Sequence, residues 1–301
     1  MWWFEQERER ISFFLLVLSL SFSIPAQAQN PELVEKGKYI FALAGGCGCH
    51  TAEKGPLNAG GRPTKTPFGT FYGTNITPDP TYGIGQWTDQ EIIDSIRLGV
   101  RPNGERLSPV MPYPAFSGMA DEDVEALIAY LRSLPPVAQE NKLHEVKLPL
   151  SGTLMRMWRW FFFSPVSASR RAPESGIERG KYIVEHVAHC GECHTPRTAT
   201  GTLDRSLYLA GNAEGVDNEV VPNITPDKET GIGDWSERDI ADLLRTGFKP
   251  NADNVQGLMA LLVDGLPIGY KDMTREDALA VAAYVKSVPP IHHVIEKDRD
   301  R

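Results

Sequence analysis

The chain has 301 residues, 41% of them hydrophobic, and a formal net charge of −8. That balance can fill sizeable cores, and its acidity argues against nucleic acid or anionic lipid as the main partner. Four cysteines are present, and the two motifs described below claim all of them, which leaves none for a structural disulfide or a zinc site.

The apolar run Ile11–Ile24 is 14 residues long, short for a membrane span. Pro25-Ala26-Gln27-Ala28 follows with an A-x-A cleavage pattern. Residues 1–28 are therefore expected to be an export signal, with a mature chain starting at Gln29 and a periplasmic location. Glu5, Glu7 and Glu9 make the n-region less basic than usual, so retention as an anchor and peripheral attachment to the inner membrane stay open. Cleavage removes three acids and two bases and leaves a net charge of −7.

The spacing predicts a helix over about Pro31–Ala44, ending at Gly46-Cys47-Gly48-Cys49-His50, which reads C-x-C-H. Asn75-Ile76-Thr77-Pro78-Asp79 and Gly83-Ile84-Gly85-x-Trp87 lie in a Gly/Pro-rich loop. Thr88-Asp89-Gln90-Glu91 is a capping box, and Ile92, Ile93, Ile96 and Leu98 then form an apolar face. Met111 stands in a loop bounded by Pro109 and Pro112. A last helix over about Asp121–Leu134 carries Val124, Leu127, Ile128 and Leu131 at helical spacing and stops at Pro135-Pro136.

Leu148–Pro173 contains Met155-Arg156-Met157-Trp158-Arg159-Trp160-Phe161-Phe162-Phe163. It is too aromatic for a flexible linker and too short and charged to span a bilayer. Packing between two domains is one reading. The other is docking of Trp158–Phe163 on a partner subunit or a membrane surface.

The same elements then return. Gly37-Lys38-Tyr39-Ile40 recurs as Gly180-Lys181-Tyr182-Ile183 at an offset of 143, and Asn-Ile-Thr-Pro-Asp recurs at Asn223–Asp227 at 148. Tyr130 and Pro135-Pro136 match Tyr284 and Pro289-Pro290 at 154. Helices are expected over Ser175–Val187, from Ser236, and over Arg275–Val288. Two copies of about 110 residues mean tandem domains rather than a solenoid.

Cys190-Gly191-Glu192-Cys193-His194 spells C-x-x-C-H, the attachment motif of a c-type haem. Residues i and i+3 of a helical turn share a face, so both thiols reach one macrocycle and the His reaches its iron. The first copy is one residue short: the offset steps from 143 to 144 between the Gly-Lys-Tyr-Ile segment and the His. In a helical turn Cys47 would lie about 200° round from Cys49, Gly46 would take the place of the first cysteine, and Cys49 alone would bond the haem. Alternatively the loop distorts and Cys47 bonds as well; an error in the sequence is a third reading.

The sixth ligands expected are Met111 and Met259, related at 148 and both assigned to loops. A thioether opposite a His raises the potential of haem iron. Met119 and Met273, each just before an acidic helix start, read as packing residues. His186 and His189 read as surface or haem-edge residues, and His144, His292 and His293 carry no signal.

These motifs resemble the di-haem members of the class I cytochrome c family, above all the cytochrome subunits of periplasmic alcohol, aldehyde and sugar-acid dehydrogenases. The resemblance implies a mainly α protein of two tandem cytochrome c domains, loop-rich, each around one haem. The domains are placed at 29–138 and 175–291, with an aromatic linker over 139–174 and a polar tail over 292–301. It implies haem contacts at Cys49, His50 and Met111, and at Cys190, Cys193, His194 and Met259, with the irons held by His50/Met111 and His194/Met259. Cys47 departs from the family pattern. Two covalent haems and electron transfer from a dehydrogenase to a quinone or terminal oxidase are the implied function, with no catalytic residue of its own. The rival is a haem enzyme, such as a di-haem peroxidase or a thiosulfate-oxidising cytochrome, which would need an open iron or a spare reactive Cys. A terminal-oxidase subunit is a third reading, disfavoured by the lack of a solid transmembrane helix.

Overall fold

The computed structural model describes residues 30–46, 48–146 and 152–296. The expected export signal, the end of the tail from 297, and Cys47 lie outside them. Asn30 opens α1 (Pro31–Leu43) by accepting a bond from Glu32 N–H at 3.1 Å, and Pro31 presets the first helical φ. The buried side of α1, Ile40, Phe41 and Leu43, packs on α4 (Asp121–Ser133). Gly37 marks the crossing: a Cβ there would lie 1.8 Å from the carbonyl oxygen of Ala126. Only glycine lets the two backbones approach so closely.

The second half repeats this packing. Its α6 (Gly176–Tyr182) crosses α10 (Arg275–Ser287), and a Cβ on Gly180 would lie 1.8 Å from Ala280 O. Between the crossing helices lie α2 (Asp89–Leu98), the short α3 (Tyr113–Phe116), α8 (Glu237–Thr246) and α9 (Gly257–Asp264). The expected capping box Thr88/Glu91 is formed, and so is its counterpart Ser236/Asp239 in the second half. Arg97 and Arg245 donate to the carbonyls of Met119 at 2.6 Å and Met273 at 2.9 Å. Those methionines are fully buried, in the packing role expected of them.

The one-residue difference between the halves sits in the helix. Ala44 N–H reaches back four residues to Ile40 O at 3.0 Å, whereas Ala188 N–H reaches back five to Ile183 O at 2.7 Å. Ile183–Val187 is thus a π turn at the end of α6. Gly46 N–H then donates to Phe41 O at 2.8 Å, and Cys190 N–H to Val184 O at 3.0 Å. Phe41 and Val184 both follow Gly-Lys-Tyr-Ile, so Gly46 is the backbone counterpart of Cys190.

A small antiparallel sheet, β1 (Pro63–Thr66), β2 (Gly69–Tyr72) and β3 (Glu145–Val146), was not foreseen, because strands of two to four residues carry too little alternation to be seen in sequence. It draws the start of the expected linker onto the first half. Gln139 Nε2 donates to Ala59 O at 2.9 Å, and Asn141 Oδ1 accepts from Asn75 N–H at 2.6 Å. Further on, α5 (Gly152–Phe162) touches both halves: Arg159 stacks on Tyr113 at 4.9 Å, and Trp158 Nε1 donates to Thr200 O at 2.8 Å. Its other face is left in solvent, with Trp160 80% exposed beside exposed Phe161 and Phe162.

The halves are locked by a reciprocal pair of bonds. Tyr39 Oη donates to Asp277 at 2.7 Å, and Tyr182 Oη donates to Asp123 at 2.7 Å. Each aspartate also pairs with a cation of its own half, Asp123 with Lys36 at 2.9 Å and Asp277 with Arg179 at 2.8 Å. Both tyrosines belong to the repeated Gly-Lys-Tyr-Ile segment, so the docking has near two-fold character.

Candidate functional site

His50 ends the 3-10 turn Gly48–His50, and its Nδ1 lies 2.7 Å from Thr74 O. His194 ends α7 (Gly191–His194), and its Nδ1 lies 2.8 Å from Pro222 O. A carbonyl can only accept, so in both rings Nδ1 carries the proton and Nε2 keeps its lone pair. Burial lowers the pKa of both imidazoles, against the raising effect of the carbonyl bond. Each is therefore a neutral base with one nitrogen held and the other free for a metal, the arrangement of a ligating His.

The carbonyls are placed by the repeated loop. Thr74 and Pro222 immediately precede the two Asn-Ile-Thr-Pro-Asp blocks. In each, the Asn side chain accepts from the backbone N–H of the Thr, at 3.0 Å for Asn75 and 2.8 Å for Asn223. Asn75 Nδ2 donates to Val137 O at 2.8 Å, and Asn223 Nδ2 to Ile291 O at 2.8 Å. The block thus ties the His-holding loop to the residue after each Pro-Pro. Thr51 and Thr195, next to the histidines and buried, accept from Asn58 N–H and Leu209 N–H at 3.0 Å each. The sequence reading gave no role to Thr74, Pro222, Thr51 and Thr195, although all stand next to residues of the recognised motifs.

On α7, His194 N–H bonds back to Cys190 O at 3.0 Å, so one helical turn carries both cysteines. Burial pushes the Cys190 and Cys193 thiols up to about 12. Two neutral thiols on one turn, next to an imidazole with a free Nε2, are the donor set that a covalently held haem needs.

The family model for cytochrome c matches residues 34–135. The chain is 38% identical to a diheme cytochrome c-type of Cereibacter sphaeroides over 278 residues, which is 87% of this chain and 90% of that protein. The chain belongs to the cytochrome c family. Members of this family carry covalently bound c-type haem. This cytochrome is also 36% identical over 286 residues to the cytochrome c subunit of alcohol dehydrogenase (quinone) of Gluconobacter oxydans, covering 91% of this chain. It is 38% identical over 291 residues to the gluconate 2-dehydrogenase cytochrome c subunit of Pantoea cypripedii, covering 92% of this chain. It spans 59% and 65% of the length of those two relatives.

The methionines are placed less alike than expected. Met111 lies in a turn, its N–H on Ser108 O at 3.1 Å, packed against the core. Met259 also packs against the core, but it sits in α9 and not in a loop. Pro109 and Pro112 keep helix from forming around Met111, whereas Gly257–Asp264 is a proline-free apolar run. Glu219 accepts the Leu258 N–H at 3.1 Å and sets its charge at the N-terminus of α9.

His186 and His189 are junction residues rather than surface ones. His186 Nδ1 lies 3.0 Å from Ala115 O, and the His189 ring meets Phe116 edge-on at 5.2 Å. Their partners come from the first half, so a reading along the second half alone could not find them. His144 and His293 likewise have structural roles: His144 accepts from Tyr72 N–H at 3.1 Å, and His293 Nδ1 lies 2.9 Å from Ala210 O. Among the described residues no helix is long and apolar enough to cross a membrane.

Proposed function

We propose that this cytochrome is an exported di-haem electron carrier of two tandem cytochrome c domains. It takes electrons from a dehydrogenase partner and delivers them to a quinone or terminal oxidase. The observation that carries this reading is the matched state of His50 and His194: in each, Nδ1 is held by the carbonyl before an Asn-Ile-Thr-Pro-Asp block and Nε2 is free. Haem, when bound, supplies the one-electron chemistry. The protein's part is to hold it, exclude water and set its potential.

In the second half Cys190 and Cys193 would hold the haem, and His194 and Met259 would bind its iron. In the first half Cys49 would hold the haem, and His50 and Met111 would bind its iron. The equivalence of Gly46 to Cys190 supports attachment through Cys49 alone. The names of the dehydrogenase cytochrome subunits above support a dehydrogenase donor, and the exposed aromatic face of α5 is the surface assigned to it. A haem enzyme is the rival function, and with both irons closed by methionine the reduced protein should not take up carbon monoxide.

The test is a haem count on the mature protein, made in a host that attaches c-type haem, by intact mass and a pyridine haemochrome spectrum. Two covalent haems, one retaining an unsaturated vinyl group, are expected. A single haem would refute the two-centre carrier.

A further inference from the structure

The shortened motif of the first half packs directly on the second half, most tightly at Gly46. A Cβ on Gly46 would lie 2.3 Å from the carbonyl oxygen of Ile268. The same contact extends on both sides: a Cβ on Gly45 would lie 2.9 Å from Leu262 Cδ2, and one on Gly48 3.6 Å from Leu261 Cδ2. Leu261 and Leu262 belong to α9, the helix that bears Met259. The Gly46 backbone is also left-handed, with φ +58°, whereas its counterpart Cys190 has φ −53°. A side chain at position 46 is therefore refused twice, by the Ile268 carbonyl and by its own backbone.

We infer that the first attachment turn has given up its second thioether to make this contact. A bond from position 46 to a haem and the docking of Gly265–Tyr270 on the first half exclude one another. The inference rests on a haem at the first motif and goes further, because it says why the motif is short. The volume of the missing side chain is filled by the other half, and the turn holding Cys49 rests directly on the helix bearing Met259. The two sites are thereby fixed against each other as one body. The sequence change that weakens haem attachment is the change that lets the sites approach.

The experiment restores the motif. Gly46→Cys returns C-x-x-C-H spacing to the first half. The holoprotein is read by pyridine haemochrome for vinyl saturation and by hydrogen exchange for protection of residues 265–270. In the wild type one vinyl stays unsaturated and the segment is protected. In the variant either the second thioether forms and the segment loses its protection, or the segment stays protected and the vinyl stays unsaturated. A second thioether with unchanged protection overturns the inference, as does a wild-type first haem saturated at both vinyls. Gly46→Ala guards against a variant that does not fold: it adds one methyl group and no thiol, and is expected to loosen residues 265–270. Wild-type exchange in that variant also overturns the inference. A wild type with no first haem defeats the proposed function instead, and the Gly46→Ala exchange then still decides whether the contact excludes a side chain.

Discussion

Tyr182→Phe tests the lock between the halves. The Tyr182 hydroxyl donates to Asp123 at 2.7 Å and accepts the N–H of Ala120 at 3.0 Å, and both partners belong to the first half. All three residues are buried. Removing the hydroxyl keeps the ring and its packing but deletes a bond to a charged group, worth about 1.5–3 kcal/mol. It also leaves the Ala120 N–H without its acceptor, at about 1–3 kcal/mol. Asp123 keeps Lys36 at 2.9 Å, so the carboxylate is not abandoned, and the expected loss is about 3–4 kcal/mol. The assay is urea unfolding of the holoprotein, followed by far-UV circular dichroism and by tryptophan fluorescence. The two probes should coincide in the wild type and separate in the variant as the halves come apart. A loss below about 1 kcal/mol, within the range of an ordinary net hydrogen bond, would refute the reasoning. Tyr39→Phe removes the reciprocal bond. It should cost less, about 1–2 kcal/mol, because that phenol is only half-buried and its Thr274 N–H partner stands off at 3.2 Å.

Three further outcomes follow from the geometry. Gly180→Ala drives a Cβ into the Ala280 carbonyl, and should cost at least the roughly 1–3 kcal/mol of an overpacked core by thermal unfolding; Gly37→Ala should match it. Asn223→Ala removes the side chain that holds Thr225 and Ile291. It should cost about 2–4 kcal/mol and, on the proposed ligation, broaden the spectrum of the haem assigned to His194 as that ring loses its fixed carbonyl; an unchanged spectrum would show that the loop does not orient His194. On the alkaline side, burial pushes the Tyr39 phenol up to about 12 from the usual 10. A raised phenol favours the folded state while protonated, so its contribution is full below about pH 10 and is lost as pH rises toward about 12. Urea midpoints measured from pH 9 to 12 should fall less steeply in Tyr39→Phe.

Much of this protein was readable along the chain because the chain says most things twice. The helix caps at Thr88 and Ser236, the apolar stripes and the Pro-Pro stops are local signals, and local backbone chemistry decided them. The residues assigned to the second haem were visible for the same reason: Cys190, Cys193 and His194 fall within one helical turn. Met259 was misplaced into a loop because its match to Met111 was read as a match of local structure, while the prolines that set the Met111 turn have no counterparts beside it.

What the sequence could not give depends on contacts between residues far apart in it. That Gly37 and Gly180 are crossing points follows only once α4 and α10 lie across them. The histidine tautomers follow from carbonyls 24 and 28 residues away, and the Tyr39 and Tyr182 bonds from aspartates in the opposite half. The short motif shows the division most clearly. The missing residue is plain in the sequence, but a sequence has no volume. Only the folded chain shows that the π turn of the second half takes up the difference, and that the carbonyl of Ile268 fills the space a side chain at position 46 would need.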